Sequence, residues 1–353
     1  MDGQELPFGQ HLARTRWGTH ASGMAFDRKK TSFLTEQAQA FIVERSFCVL
    51  AGLGPQNEVS GLLAIGKPGF VYAPDMYTCL LQLDRWADNS PIFQGLHRFS
   101  DPRQAARLGL FFICHATRER LCVHAEAQLL PYTPPVLYRL LGYRRHMRLL
   151  RLHVRQVFFH CPRYIKTRIP GLTVPAGSLA EEIPQLRQLV GRSQNYLSEP
   201  MRAFIAQQLL CFLCTVDCYG QCAVNHRGGA PGFLVTLSPN TYSPGGTILL
   251  PDFAGNGAFE ALGNILETGQ AAIVVPDYAA QLALCISGLA RVLELRELPA
   301  KLAQSCAGAE RIVALSVQRV EIQGGDWSTD LAHERAYPET TSLPQEPVTV
   351  CRV

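Results

Sequence analysis

The residues with the most chemistry in them lie close together in the second half of the chain. They are Asn225-His226-Arg227-Gly228-Gly229-Ala230-Pro231-Gly232-Phe233, followed by Leu250-Pro251-Asp252-Phe253-Ala254-Gly255-Asn256 and a helical run through Asn264. Arg227 ends a strand and offers a planar, permanently charged fork that suits a phosphate. Gly228 and Gly229 let a ligand approach the backbone closely. Asn256 reads as the N-cap of the helix that follows, and the free N–H groups of a helix start suit an anion. Arginine, paired glycines and a helix start together describe a phosphate cradle. The plainer alternative is that the glycines only make turns and Arg227 is solvated. His226 titrates near neutrality and is a candidate acid or base beside a ligand, or else a histidine hydrogen-bonded at a strand end.

Other residues invite competing readings. Cys211, Cys214, Cys218 and Cys222 are spaced Cys-x2-Cys-x3-Cys-x3-Cys, and a metal site would need their thiolates to converge. Cys211–Val216 reads as a strand, however, and the odd spacing of Cys211 and Cys214 puts them on opposite faces. The expectation is therefore no metal site. His153 and His160 are candidates for lining a seam between domains. Arg144, Arg145, Arg148 and Arg151 form a basic run that reads as a solvated hairpin or loop. Trp17 and Trp86 read as packing residues.

The elements that must position these residues come from a repeat. Ala40-Phe41-Ile42 recurs as Ala203-Phe204-Ile205, 163 residues later. The same offset carries Cys48 to Cys211, Gly66-Lys67-Pro68-Gly69-Phe70-Val71 to Gly229-Ala230-Pro231-Gly232-Phe233-Leu234, and Leu152 to Leu315, with compensating gaps between about Pro74 and Ala87. Self-similarity at one spacing marks a duplicated unit. Each copy begins with a short helix capped by Thr35 or Ser198. Apolar strand runs follow at Phe47–Leu53 and Cys211–Val216, each closed by turn chemistry, Gly54-Pro55-Gln56-Asn57 or Asp217-Cys218-Tyr219-Gly220. In the second copy Phe259, Leu262, Ile265 and Leu266 share one helix face, and strands follow at 271–276, 282–293 and 311–322. Mostly strands with short helices predicts a mainly β (α+β) chain of two small barrels.

The predicted organisation is an N-terminal extension over 1–30, a first domain over 31–169, a linker and helix over 170–197 with the helical stretch at 184–197, a second domain over 198–323, and a polar tail over 324–353, extended or disordered. The offset also separates scaffold from function. Arg227-Gly228 falls on Ala64-Ile65, whereas the Pro-Gly-Phe element survives in both copies. One ligand site, in the second copy and its seam with the first, is the consequence.

Bulk properties exclude several classes. Hydrophobic residues make up 47% of the chain and charged residues 18%, with a net charge of +4. That charge is too mild for a nucleic-acid footprint. No run reaches the ~20 apolar residues of a membrane span, and the first thirty residues hold no signal-peptide core. The twelve cysteines then read as reduced thiols in a cytoplasm.

The chain resembles the pyridoxamine 5′-phosphate oxidase-like, FMN-binding split-barrel superfamily, and within it the tandem-domain members. The resemblance rests on Arg227-Gly228-Gly229-x-Pro231-Gly232-Phe233, Pro251-Asp252-x-x-Gly255-Asn256 and Leu262-Gly263-Asn264. In the first copy it rests on Thr117-Arg118-Glu119-Arg120 and Cys161-Pro162-Arg163-Tyr164-Ile165. It implies six-stranded, Greek-key split barrels that pack as an internal pseudo-dimer, with homodimerisation a further expectation, and FMN at the junction. Arg227 and Asn264 would bind its phosphate or ribityl chain, with Pro251, Asp252 and Asn256 nearby and Arg118, Arg120 and Cys161 supplied by the other barrel. Cys122-Val123-His124-Ala125 departs from the family pattern, which often continues into Asn-Gly there. The implied function is flavin redox chemistry on an unidentified substrate. The alternatives are a non-catalytic flavin or haem carrier or sensor, and an interaction protein whose site has decayed.

Overall fold

The computed structural model describes residues 6–83, 89–97, 105–130, 148–160, 179 and 181–327. It consists of two tandem split β-barrels with short helices. The first barrel follows α1 (Phe8–Trp17) and α2 (His20–Asp27). It contains α3 (Glu36–Val43), β1 (Phe47–Leu53), β2 (Val59–Ile65), β3 (Val71–Asp75), β4 (Thr78–Leu83), α4 (Pro91–Leu96), β5 (Ala106–Ile113), β6 (Arg120–Leu129) and β7 (Arg148–Phe159). The second contains α5 (Glu182–Arg187), β8 (Ser193–Gln194), α6 (Glu199–Gln207), β9 (Leu210–Val216), β10 (Cys222–Gly228), β11 (Val235–Leu237), β12 (Thr247–Asp252), α7 (Glu260–Thr268), β13 (Gln270–Asp277), β14 (Leu282–Glu294), α8 (Ala300–Ser305) and β15 (Arg311–Gly324).

The duplication is written into the topology. The strand orders are β2-β1-β5-β6-β7-β4-β3 and β10-β9-β13-β14-β15-β12-β11, the same path twice. Cys48 pairs with Ala64 in one sheet and Cys211 with Arg227 in the other. Even the irregularities repeat at the 163-residue spacing. A register shift falls at His124/Ala125 and again at Ser287/Gly288. The left-handed turn residue Arg118 is matched by Gln281, and Asn57 by Gly220. The Pro-Gly-Phe turn is held alike in both copies: Gly69 N donates to Val43 O and Gly232 N to Ala206 O. A Cβ on Gly66 would lie 2.5 Å from the Phe70 Cβ, and one on Gly229 2.5 Å from the Phe233 Cβ. These glycines are required by the turn itself.

The apolar runs are continuous because both faces of the central strands are buried. On β1, Cys48 and Leu50 enter the first barrel's core, while Phe47, Val49 and Ala51 face the second barrel. On β9, Cys211 and Leu213 point inward and Phe212, Cys214 and Val216 meet the first barrel. Cys211 and Cys214 therefore do lie on opposite faces. Close approach of the barrels needs small residues: a Cβ on Gly109 would come 2.5 Å from the Cys222 carbonyl oxygen, and one on Gly61 2.4 Å from the Val274 side chain.

Several boundaries differ from expectation. Each sheet carries seven strands in its common path instead of six, because the 71–83 segment turns at Asp75 into a hairpin of its own. The helix expected at 184–197 covers only Glu182–Arg187. The backbone then reaches left-handed Gly191, whose N–H donates to Ile322 O, and β8 adds to the edge of β15. Ser198 occupies its N-cap position without a side-chain cap, whereas Thr35 accepts from Ala38 N. The start of the tail is packed and not free: Trp327 is buried against the seam. Arg148 and Arg151 lie on β7 and not in a loop. Residues 170–178, 328–353, Trp86, Arg144 and Arg145 lie outside the described residues. Among the described residues, no helix is long and apolar enough to cross a membrane.

The stretch expected as an extension is built into the second barrel. α1 crosses α7 where Gly9 meets Gly263; a Cβ on Gly263 would lie 2.6 Å from Gln10 N. Arg14, 1% exposed, donates from Nε to Ala258 O and pairs with Asp27 at 2.7 Å. Thr19 Oγ1 donates to Gly257 O. Trp17 packs on Phe259 at 4.8 Å between ring centroids, which bears out its packing role.

Candidate functional site

A cavity of about 150 Å³ opens at the seam. Its floor is the end of β10, Asn225 to Gly228, and its rim is the segment from Pro251 through the first turn of α7. The first barrel contributes Phe111, Arg120 and His160, and α2 contributes Phe26. Arg120, His226, Arg227, Gly228, Pro251, Asp252 and Asn256 are thus brought together from both halves of the chain.

The electrostatics centre on Asp252, which is 4% exposed. Its Oδ1 accepts from Arg227 Nη1 at 2.5 Å and its Oδ2 from Arg311 Nε at 2.9 Å. The Arg311 guanidinium packs on both Trp17 and Phe259, at 4.7 and 4.6 Å from their ring centroids, and also meets Glu310. These four charges balance among themselves, yet Arg227 Nε is buried with no hydrogen-bond partner. A buried donor of this kind calls for an acceptor.

The histidines at the cavity are neutral. His226 is 8% exposed, and neither ring nitrogen has a hydrogen-bond partner. Burial, then the charge of Arg120, holds its pKa well below the usual imidazole range. His160 is pushed down to about 3, by burial first and then by Arg120 and Lys30. Its Nε2 lies 3.0 Å from Cys122 Sγ. Burial, reinforced by Glu260, drives that thiol up, so the pair is a thiol and an imidazole and not an ion pair. Cysteine nucleophiles need the thiolate, which argues against a cysteine-based reaction here.

The remaining expected residues lie elsewhere. Asn256 does not cap α7. Its Oδ1 accepts from Ala258 N, and the chain enters the helix through Phe259 in a left-handed conformation, φ 52°, with no side-chain cap. Phe259 takes this costly geometry with its ring packed against both Trp17 and Arg311. Gly229 belongs to the duplicated turn and does not line the cavity. Arg118 is exposed at the β5–β6 turn, also left-handed, and does not line it either. Asn264 lies one helical turn beyond Glu260, in a neighbouring chamber. Its Nδ2 donates to Thr215 Oγ1 at 3.1 Å. Cys161 with its Pro162 lies outside the described residues. His153 is an exposed β7 residue, while His160 does line the seam. Sequence reasoning missed Arg311, Phe26 and Phe259 as parts of the site. Of these only Phe259 carried a signal, its place on the helix face.

The pseudo-symmetric position in the other half carries different residues. Leu63 and Ala64 stand for His226 and Arg227, Leu83 for Asp252, Ala283 for Arg120 and Gln323 for His160. Gln323 Oε1 accepts from Leu63 N at 2.9 Å and from the Cys285 thiol at 3.1 Å.

No protein-family model matches the sequence, and no curated protein matches it. Among solved structures, the chain is similar to a putative pyridoxamine 5′-phosphate oxidase from Lactobacillus delbrueckii, at 15% identity over 37% of this chain and 98% of that one, TM-score 0.29. It is similar to HupZ from Group A Streptococcus, at 20% identity over 35% of this chain and 90% of that one, TM-score 0.27. It is also similar to HutZ, the heme storage protein of Vibrio cholerae, at 13% identity over 37% of this chain and 99% of that one, TM-score 0.24.

Proposed function

We propose that the seam cavity binds a phosphate-bearing cofactor, flavin mononucleotide, and that the chain is a flavoprotein of a reducing compartment such as the cytoplasm. The observation that carries this reading is the convergence of Arg120 from one barrel and Arg227 from the other beside Gly228, with the Arg227 Nε buried and unpartnered. Phosphate oxygens satisfy such donors well. The uncapped first turn of α7 adds backbone N–H groups at the same rim. The residues therefore fit the phosphate end of the group. The ring end does not fit the cavity as packed. About 150 Å³ is below the 300–1,000 Å³ usual for cofactor-sized ligands, so binding requires Phe26 or the 253–258 segment to move outward. When bound, the flavin would supply hydride chemistry at its N5 atom; the chain's own residues would bind it, orient it and exclude water.

Absorbance of the purified protein, and of protein incubated with added FMN, tests the reading. Saturable FMN uptake is expected, weakened at least tenfold, about 1.4 kcal/mol, by Arg227→Ala and unchanged by Lys67→Ala. A protein that stays colourless and takes up no FMN overturns it. A haem-binding reading is favoured by one observation, the two neutral, buried imidazoles of His160 and His226 on the cavity wall, since neutral imidazole is an iron ligand. Titration with hemin separates the two, because a Soret band lost in His226→Leu identifies haem.

A further inference from the structure

Beside the seam cavity, and separated from it by Glu260, lies a second chamber of about 880 Å³. It is roofed by α1, walled by β5, β6 and β7 of the first barrel, and floored by α7 and the start of β10. Its deep end collects polar groups whose hydrogen bonds are unmade. Glu260 is 8% exposed, and its nearest ion-pair contact among the described residues is His124 Nε2, at 3.7 Å. That distance is too long for a hydrogen bond. His124 is 6% exposed, and Nε2 has no partner. Burial, opposed by Glu260, holds this imidazole below its usual pKa. Asn264, 2% exposed, sits one turn along the same helix face with Oδ1 unsatisfied, and Gln10, 5% exposed, presents an unsatisfied Oε1 from α1.

The nearby cations are held by other groups. Arg155 pairs with Glu126 at 2.7 Å, Lys30 with Asp27 at 3.0 Å, and Arg107 donates to Tyr219 O while its charge acts on Glu126. What remains is the Glu260 carboxylate, a second buried carboxylate on Asp217 that accepts from the Tyr219 and Gln221 N–H groups, and two amide oxygens, all acceptors, in a space far larger than they fill. A buried carboxylate without a cation is costly, and a ligand carrying N–H donors and a positive charge removes that cost.

We propose that this chamber is a binding site for a small organic cation, an amine, amidine or guanidine, with Glu260 as its counter-ion and Asn264 and Gln10 as hydrogen-bond acceptors. At the 163-residue spacing His97 stands for Glu260, so this carboxylate belongs to the second copy. The proposal does not rest on the flavin reading, and the two are tested by different ligands.

Calorimetric titration of the full chain with benzamidine and with agmatine, using succinate as the anionic control, tests it. Saturable one-to-one binding of at least one cation is expected, with none of succinate. Glu260→Gln should weaken that binding at least about tenfold. If Glu260→Gln does not fold, Asn264→Asp serves instead: a second carboxylate one turn away should tighten binding by about tenfold. Absence of saturation by both cations up to about 10 mM, binding of succinate in their place, or an affinity indifferent to these substitutions overturns the proposal.

Discussion

The two ends of the seam are built from equivalent strands and have opposite characters. At one, Arg227, His226, Arg120 and Asp252 surround a cavity, and buried polar atoms of Arg227 and His226 are left unmet. At the other, leucine, alanine and a glutamine stand at the equivalent positions, with the Gln323 carbonyl taken up by Leu63 and Cys285. Scaffold elements, including the Pro-Gly-Phe turn and the β-bulge, are common to both. The comparison teaches that the unmet groups of Arg227 and His226 are not demanded by the fold, since Ala64 and Leu63 occupy the equivalent positions. They are a property of one end, and unsatisfied buried groups of that kind call for an acceptor or donor from outside the chain, a water, an ion or a ligand.

The largest effect that would sharpen this contrast comes from giving the second copy the first copy's residue at Asp252. Asp252→Leu strands Arg227 and Arg311 without their shared carboxylate and should cost about 3–5 kcal/mol in chemical denaturation. The double change Arg227→Ala with Asp252→Leu should recover part of this, because the partners are coupled. Equal losses in the single and double variants would show that the triad is not a unit.

Next is Gly263→Val, which forces a side chain into the Gln10 backbone. A loss of about 2 kcal/mol, with early proteolysis of the first thirty residues, is expected. Gly66→Ala and Gly229→Ala should each cost about 1 kcal/mol, and by similar amounts, since the two turns are alike. A large inequality would break the claim that this element is shared scaffold.

The smallest effect at neutral pH concerns the histidines. The folded pKa of His160 is depressed to about 3 and that of His226 also lies well below its ordinary value. The unfolded chain therefore binds more protons between about pH 6.5 and 3. Stability should be full above about pH 6.5 and fall as the pH drops through that window. His160→Gln, the residue found at the equivalent position, should flatten the acid limb of a denaturation-midpoint profile.

The fold was legible in the sequence because the doubly buried strands leave long apolar runs that repeat at one spacing. β1 and β9 occupy the expected residues to within one position. The cradle was legible in part. Arg227, Gly228, Pro251 and Asp252 converge because strand ends and the following loop must meet at a barrel mouth. The role of Asp252 was not, since nothing in a linear sequence shows that a carboxylate will be consumed by two arginines from other strands. The packing of α1 was hidden by an inversion of the usual burial pattern: Phe8 is 66% exposed while Arg14 is buried. Asn256 looked like a cap because its type and position suit one, but the helix starts beyond it, through left-handed Phe259.

The contact between α1 and α7 also bears on how the chain acquires its shape. Arg14 and Ala258 are 244 residues apart, so during synthesis α1 must wait for its partner while both barrels are being made. Both chambers at the seam, lined by Phe26 in one and Gln10 in the other, are therefore completed only when these helices meet a segment made about 240 residues later.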